Sequence, residues 1–544
     1  GADEAGDATG GEYVVFGSGL IEEEIDRSMV DTLWIVGPLA LLFVVLALTV
    51  AYRDPLDIAL GVAGIFVVLV WTFGFLGWTG IPFNVLMVAV PVLLIGISID
   101  FAVHVFMRHR EHRSAPGDAG RDPDTSVRGA MTVALAGVGI ALFWAAATTV
   151  IGFLANVVSP LGIIRQFGIA SGFGIGAALV VFPTLVPAEK TELDELLESL
   201  GFDRRMRAFG TGGGRLSRVL SAGAVAARRA PLAVLVLVLL VTAVGTYGAL
   251  GVETTFQQED FVAGSPPDWT YSLPGPMAPG QYHAADDLDV VNEHFRPADA
   301  RAQVLVRGDV ATPGAIDRLV AAREDAAAND VVYTLPNGEA DVEGPLSVME
   351  EVAADNDSFN ETFREFDADN DTVPEFDADD DGVAERDPRV LFDALFAADA
   401  GAAGDVIHRT DEGEYAAVRL IIGVEGDASY AETTADMRAI AAGIEAGQEN
   451  ATAAGAAGDP GRLTAVATGQ PVVNRVIEQS LFETLVRSLV VTFVAVFVFL
   501  TVGYHLAGHG ATLGAVTLVP VTLSVAWILG TMYLLGIPFT VLTV

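Results

Sequence analysis

Hydrophobic and polar positions follow two rhythms along this chain. Long apolar runs, free or nearly free of charge, cover residues 33–52, 56–78, 82–106, 131–157, 166–186, 231–251, 482–504 and 511–535. Each suffices to cross a bilayer as a helix, which takes about 20 residues at 1.5 Å per residue. The pattern therefore predicts eight spans, and a ninth run opens at Ile537. Between the sixth and seventh runs the rhythm shortens to that of a water-exposed α/β unit. Residues 302–307 alternate like a strand, 313–328 form an amphipathic helix and 331–335 a second strand; the succession recurs at 415–424, 429–446 and 463–468. Two such units predict small ferredoxin-like subdomains of the split βαβ type. An acidic insertion at about 340–400 interrupts them.

Internal repetition sets the architecture. Gly17-Ser18-Gly19-Leu20 through Asp26-Arg27-Ser28 lines up with Gly469-Gln470-Pro471-Val472 through Glu478-Gln479-Ser480. Trp71, Gly74 and Gly80-Ile81-Pro82-Phe83 match Trp527, Gly530 and Gly536-Ile537-Pro538-Phe539. This is a parallel duplication, with both halves crossing the membrane in the same sense. The fold class expected is a polytopic α-helical membrane protein with a parallel-duplicated helix bundle, about twelve helices when complete, carrying external α+β ferredoxin-like porter subdomains. Residues 1–30 then end a first external domain, 31–186 form the five-helix bundle of the first half, and 187–230 are a basic cytoplasmic linker. Residues 231–252 open the second half, 253–480 are its external domain, and 481–544 begin its remaining helices. On this reading the chain is the middle of a longer protein.

Charge orients the spans. Arg108, Arg110, Arg113, Arg121 and Arg128 follow the third run, while Lys190, Arg204, Arg205, Arg207, Arg215, Arg218, Arg228 and Arg229 follow the fifth. Both loops are expected in the cytoplasm, with 1–30 and 253–478 outside. The formal net charge is -40 and Lys190 is the only lysine, a composition that points to a halophilic, haloarchaeal source. Such acid keeps surfaces hydrated in brine and speaks of habitat more than of a basic partner; nucleic acid is not expected. The absence of cysteine excludes disulfides, thiolate metal sites and cysteine nucleophiles. Gly210 to Gly214 lack a following Lys-Ser/Thr, and there is no zinc spacing or nucleophile elbow, so neither an ATP-driven pump nor a soluble enzyme is expected.

One residue stands out chemically. Asp100 is the only charge between Ile81 and Met107, where an ionised carboxylate costs at least ~2.5 to 3.5 kcal/mol. His104 follows one turn later on the same helix face and completes a candidate proton relay, or else marks the interface beside Arg108. Thr148 and Thr149 are candidate hydroxyl partners of Asp100, against the ordinary alternative that they bond their own helix. A structural carboxylate capping a neighbouring helix is the alternative for Asp100 itself. In the acidic insertion, Asp377, Asp379, Asp381 and Gly382 reproduce positions 1, 3, 5 and 6 of a calcium loop and Glu385 position 9, but Pro388 occupies position 12. Weak Ca2+ binding is the one cofactor expectation, with solvated acid as its alternative. Sequons at Asn356, Asn360, Asn370 and Asn450 all lie in the external stretch.

These motifs together resemble the RND (resistance, nodulation, division) superfamily. The stretches that carry the resemblance are Gly96-Ile97-Ser98-Ile99-Asp100-Phe101, Ala147-Thr148-Thr149 with Gly152-Phe153-Leu154, and Gln166-Phe167-Gly168 with Gly172 and the Pro183 region. The similarity is to the MMPL-like and archaeal exporter branch, whose transmembrane core is shared with sterol-sensing-domain proteins. It implies that Asp100 matches the proton-relay aspartate of the fourth helix, with Phe101 where Tyr is common, and that Gly96, Gly152 and Phe153 belong to the family motifs. A matching Asp on the tenth helix would fall about a dozen residues beyond Val544. The implied function is a proton-motive-force-driven secondary transporter in the plasma membrane, exporting hydrophobic or lipid-like substrates. Membrane lipids are its surroundings, Na+ is the alternative coupling ion, and association of identical copies stays open. The rival reading is a lipid-sensing or sterol-sensing or scaffold protein that uses the same core without net transport.

The arginine distribution yields a topological prediction. Membrane-impermeant labels should reach residues 107–130 and 188–230 from the cytoplasm and 253–478 from outside. A label at Gly382 reached only from the cytoplasm would overturn this orientation.

Overall fold

The computed structural model describes residues 17–113, 126–202, 204, 206, 222–223, 225–249, 251, 264–294, 301–366, 386–426, 428–453, 462–510, 512–537 and 540. All eight apolar runs are helices long enough to span a membrane. They are α1 (Ser18–Tyr52), α2 (Pro55–Thr79), α3 (Ala89–Arg113), α4 (Val127–Leu154), α5 (Gly162–Val180), α7 (Pro231–Ala249), α15 (Gln470–Leu506) and α16 (Thr512–Leu535). After α5 the chain makes a π-helical turn at Val181–Leu185 and continues as α6 (Val186–Ser199).

Local chemistry sets the ends. Arg53, in a left-handed conformation, closes α1, and Asp54 starts α2 by accepting a hydrogen bond from the Leu56 N–H at 3.1 Å, with Pro55 at the first helical position. Ser126 caps α4 in the same way through the Gly129 N–H, 3.0 Å away. The duplication is visible in these boundaries. The starts of α1 and α15, Ser18 and Gln470, are equivalent positions of the repeat, and α2 and α16 are followed by Gly80 and Gly536 at φ 69° and 64°. Only glycine takes that conformation without strain, which is why the Gly-Ile-Pro-Phe signature appears twice.

The chain divides into two compact units, residues 1–287 with 479–544, and residues 288–478. In the first, α3 and α5 are the most enclosed helices, and Leu48, Val68, Leu94, Val105, Phe106, Ile175 and Phe182 form the centre of the bundle. Phe43, Val70 and Ile140 face outward, each more than half exposed, as side chains surrounded by lipid must be. The segment after α7 is tied to α1: Asp31 accepts hydrogen bonds from the Tyr282 hydroxyl (2.6 Å) and the Gly280 N–H (2.7 Å), and Glu24 accepts from the Ala284 N–H (2.9 Å). Burial, and then the bond to Asp31, hold the Tyr282 phenol above its usual pKa. Glu24 thereby caps α8 (Ala284–His294).

The second unit is an α/β fold. Its strands are β1 (Arg301–Gly308), β2 (Val342–Glu343), β3 (Ile407–Arg409), β4 (Tyr415–Gly423) and β5 (Leu463–Gly469), in the order β2-β4-β1-β5 with β3 also on β4. β1 lies antiparallel to both β4 and β5. Helices α9 (Pro313–Ala327) and α14 (Tyr430–Ala453) pack with this sheet through Ile316, Leu319, Met437 and Ile440. The two strand and helix units thus share one split βαβ sheet rather than forming separate subdomains. The second strand also departs from its expected place at 331–335. That segment folds back at Gly338 (φ 89°) and meets the chain at the end of β4, through the Val332 and Val424 bridge and the Tyr333 N–H, which donates to the Gly423 carbonyl at 2.9 Å, while β2 takes the place beside β4. The described residues of the acidic insertion and those just after it are mainly helical, as α10 (Pro345–Asp355), α11 (Asp357–Phe366), α12 (Pro388–Ala398) and α13 (Ala400–Val406). Phe359, Phe363, Phe366, Leu391, Phe392 and Leu395 make them part of the core of this unit.

Phe392 is fully buried, with its ring edge-on to Tyr415 at 5.1 Å. Phe392→Ala should therefore lower the stability of this unit by about 3 to 5 kcal/mol, read as lost hydrogen-exchange protection of the β4 amides. Protection equal to the parent's would show that the insertion lies outside the cooperative core.

Candidate functional site

The site begins with the alternation of faces on α3. Leu94, Ser98, Phe101, Ala102, Val105 and Phe106 are buried against the rest of the bundle, while Val92, Gly96, Asp100, His104 and Arg108 recur every four residues on the exposed face. Asp100 therefore points away from the helices that hold α3 in place. Its side chain is 65% exposed, and the His104 Nε2 lies 3.4 Å from its Oδ1. One turn further, Arg108 donates to Glu111 at 2.8 Å. Phe101 faces the opposite way, into the core, so a hydroxyl in its place would not adjoin Asp100.

Thr148 and Thr149 are not partners of Asp100. The Thr148 hydroxyl donates to the Trp144 and Ala145 carbonyls, both at 2.9 Å, and the Thr149 hydroxyl to Ala145 at 2.8 Å. A threonine buried from water spends its hydroxyl on the preceding turn when no better acceptor lies within reach. Thr149 instead joins Gly152 and Phe153 on the wall of a cleft of about 330 Å³. Asn156, Leu485, Ser488, Thr492, Val525 and Leu529 complete its lining, so it lies between α4 and the repeat-equivalent helices α15 and α16. Phe153 packs edge-on against Phe167 at 5.8 Å, which brings two of the sequence motifs into contact. Beside the cleft, the buried hydroxyls of Ser159 and Thr484 are 3.1 Å apart and join the two halves of the repeat.

The calcium candidates Asp377, Asp379, Asp381 and Glu385 lie outside the described residues. Among the described residues no group of acids and histidines is arranged to hold a metal ion. Of the sequons, Asn356 uses its side-chain oxygen to cap α11, accepting from the Ser358 and Phe359 N–H groups at 3.1 Å. Asn360 is half-buried in α11, and Asn370 lies outside the described residues.

A cluster of buried charge at the arginine-rich end of the same bundle was not foreseen. Asp57 accepts from Arg110 at 2.7 Å and contacts Lys190 at 2.7 Å; Lys190 also donates to Asp194 at 2.6 Å. Arg204 reaches Asp54 at 2.5 Å, Asp194 at 3.0 Å and Asp57 at 3.3 Å. Burial opposes the charge of Arg204, yet its hydrogen bonds to Asp54 and Asp194 raise its pKa above the ordinary arginine value. Arg204 and Asp57 are 147 residues apart in the chain, so no local spacing announces the cluster. The one available signal was compositional: the only lysine of the chain is here, and its side chain is 3% exposed.

Comparison with known proteins bears on this region. Residues 3–189 match the model of the MMPL family. A protein of Methanocaldococcus jannaschii, named only as a membrane protein, MJ1562, is 27% identical over 179 residues, covering 33% of this chain and 44% of that protein. The aligned part is thus less than half of the relative's length.

The hydroxyl geometry of α4 generates a prediction. Thr148→Val and Thr149→Val should each leave activity within about twofold of the parent and helix stability within about 0.5 kcal/mol, because the bonds lost are local. A loss of more than tenfold in transport by reconstituted Thr148→Val would show a hydroxyl role beyond the helix.

Proposed function

We propose that this chain, which matches the MMPL family over residues 3–189, is part of an RND-type secondary transporter in which protonation of Asp100 drives export of a hydrophobic or lipid-like substrate. Proteins of this family are membrane transporters rather than enzymes. The observation that carries the reading is the outward-facing Asp100 and His104 pair at the middle of a spanning helix. A carboxylate there is costly when ionised and cheap when protonated, by at least ~2.5 to 3.5 kcal/mol. Two arrangements of the bundle that expose Asp100 differently to water are then populated according to its protonation. Each elementary charge moved across the membrane adds ~2.3 kcal/mol per 100 mV, enough to bias such a pair of states.

His104 lies one turn nearer the arginine-rich end and provides the next protonation site on the same face. Coupling to Na+ would instead leave flux insensitive to a proton gradient. The cleft beside Gly152 and Phe153 supports the substrate class: it is largely apolar and edged by the side chains of Asn156, Ser488 and Thr492. An amphiphile with one polar end and an alkyl or isoprenoid body suits that lining.

Asp100→Asn in the intact protein should abolish proton-driven flux while expression and thermal stability hold, since a neutral isostere relieves the burden of the charge. His104→Gln should retain flux with a displaced pH profile. Parent-like flux in Asp100→Asn, measured in vesicles under an imposed proton gradient, would remove the coupling role; lipid binding without any flux in the parent would favour a sensor.

A further inference from the structure

The buried charge cluster has no part in the pathway above, yet it is the most densely connected polar site among the described residues. It joins the start of α2 (Asp54, Asp57), the end of α3 (Arg110), α6 (Lys190, Asp194) and the segment that follows α6 (Arg204). Three carboxylates face three cations, so it is neutral as a whole. Arg110 also donates to the Tyr52 carbonyl at 2.6 Å, which adds the end of α1. Each shared group belongs to two or three pairs at once: Asp57 to Arg110, Lys190 and Arg204, and Asp194 to Lys190 and Arg204.

Such a cluster is an expensive way to hold helices together. Apolar packing of equal volume is commonly as stable or more so, and the distinct property of buried ion pairs is that they select one arrangement among several. This chain uses arginine everywhere else, and places its single lysine where a compact ammonium bridges Asp57 and Asp194 beneath the Phe106 ring, 5.6 Å from its centroid. Arginine's wide planar fork is not an equivalent for that contact.

Two further features are compatible with a contact that can be remade. α6 is joined to α5 through the π-helical turn containing Pro183, a turn in which a helix can shift its hydrogen-bond register. That turn packs on α2 at Gly64, where an added Cβ would come within 2.7 Å of the Val186 side chain and 3.0 Å of the Phe182 side chain, so α2 presents no side chain of its own to them at that point. Beside the cluster, His109 is 2% exposed and neither ring nitrogen has a hydrogen-bond partner among the described residues. Lys190, Asp194 and Arg113 with Asp57 are the charged groups that surround it. It offers a spare partner for a second arrangement.

We infer that this cluster is a partner-exchange latch, holding α6 and the segment carrying Arg204 against α2 and α3 in one state of the bundle and releasing them in another. Arg110 lies ten residues beyond Asp100 on the same helix, about 15 Å along the axis. A displacement of α3 that follows protonation of Asp100 is therefore felt at Asp57 and passed to the residues leading out of the first half. This last link rests on the transport reading; the latch itself does not.

These 544 residues hold no cysteine, so a single one introduced among them can be followed directly. Thr191 sits in the latch face of α6, 8% exposed. Thr191→Cys in the intact protein, in vesicles, should react slowly with a thiol reagent at rest. It should react about tenfold faster when the side opposite the arginine-rich loops is acidified at constant pH on the arginine-rich side. Asp100→Asn should abolish that acceleration. Lys190→Met with Asp57→Asn removes one charge of each sign, keeps the cluster neutral, and should give fast labelling under both conditions. Constant protection of Thr191→Cys while flux proceeds would overturn the latch and leave the transport reading standing. If no flux responds to the gradient, the transport reading fails, and the neutral double variant decides the latch: labelling as slow as in the parent overturns it.

Discussion

A bilayer interior gives a charge no water to face, and every informative feature of this chain is a response to that constraint. The backbone meets it by closing all eight spans into helices, whose polar groups are bonded internally. Side chains meet it by being apolar, with the outward faces of α1, α2 and α4 as hydrophobic as the core. Two departures matter most: Asp100, at mid-span and facing away from its own bundle, and the charge cluster at the arginine-rich end, which is hidden inside it. Neither adds stability that leucine could not provide, so both have to be read through what they enable.

The first of these was legible in the sequence because it depends on composition and position alone. One acidic residue in a run of apolar ones needs no knowledge of its neighbours to be recognised, and the i, i+4 spacing to His104 follows from helix geometry. The duplication was equally legible, since equivalent backbone turns demand equivalent residues: Gly80 and Gly536 are alike because their φ angles are. The strands at β1, β4 and β5 were announced by alternation. By contrast, the second strand was misplaced because residues 331–335 have strand composition but meet a Pro-Asn-Gly turn that folds them back before they can pair along β4. The merging of two units into one sheet was illegible for a similar reason: β1 and β4 are paired across more than 100 residues, and nothing in either strand specifies its partner.

The threonines of α4 illustrate a different limit. Their place in a family-like motif drew attention to Asp100, whereas the structure assigns their hydroxyls to the helix backbone and their side of the helix to the cleft. Motif membership reports that a residue sits at a crowded or functional junction, and the partner must be found in three dimensions. Here the junction is the packing of α4 against α15 and α16. Phe153 meets Phe167 on one side of it, and the second half of the repeat closes the other.

Asp57 and Asp100 are the same residue type on adjacent helices and differ only in company. Asp57 has three cationic partners and a side chain 1% exposed, so its charge is enclosed within a set of ion pairs. Asp100 has one imidazole at 3.4 Å and an open face. A group that titrates must be poorly paired in at least one state, and a group that holds helices in register must be well paired in the state it selects. On the proposed reading one carboxylate receives a proton and the other reports the helix movement that follows. The helix that connects them, α3, carries Asp100 on its outer face and Arg110 on its inner one.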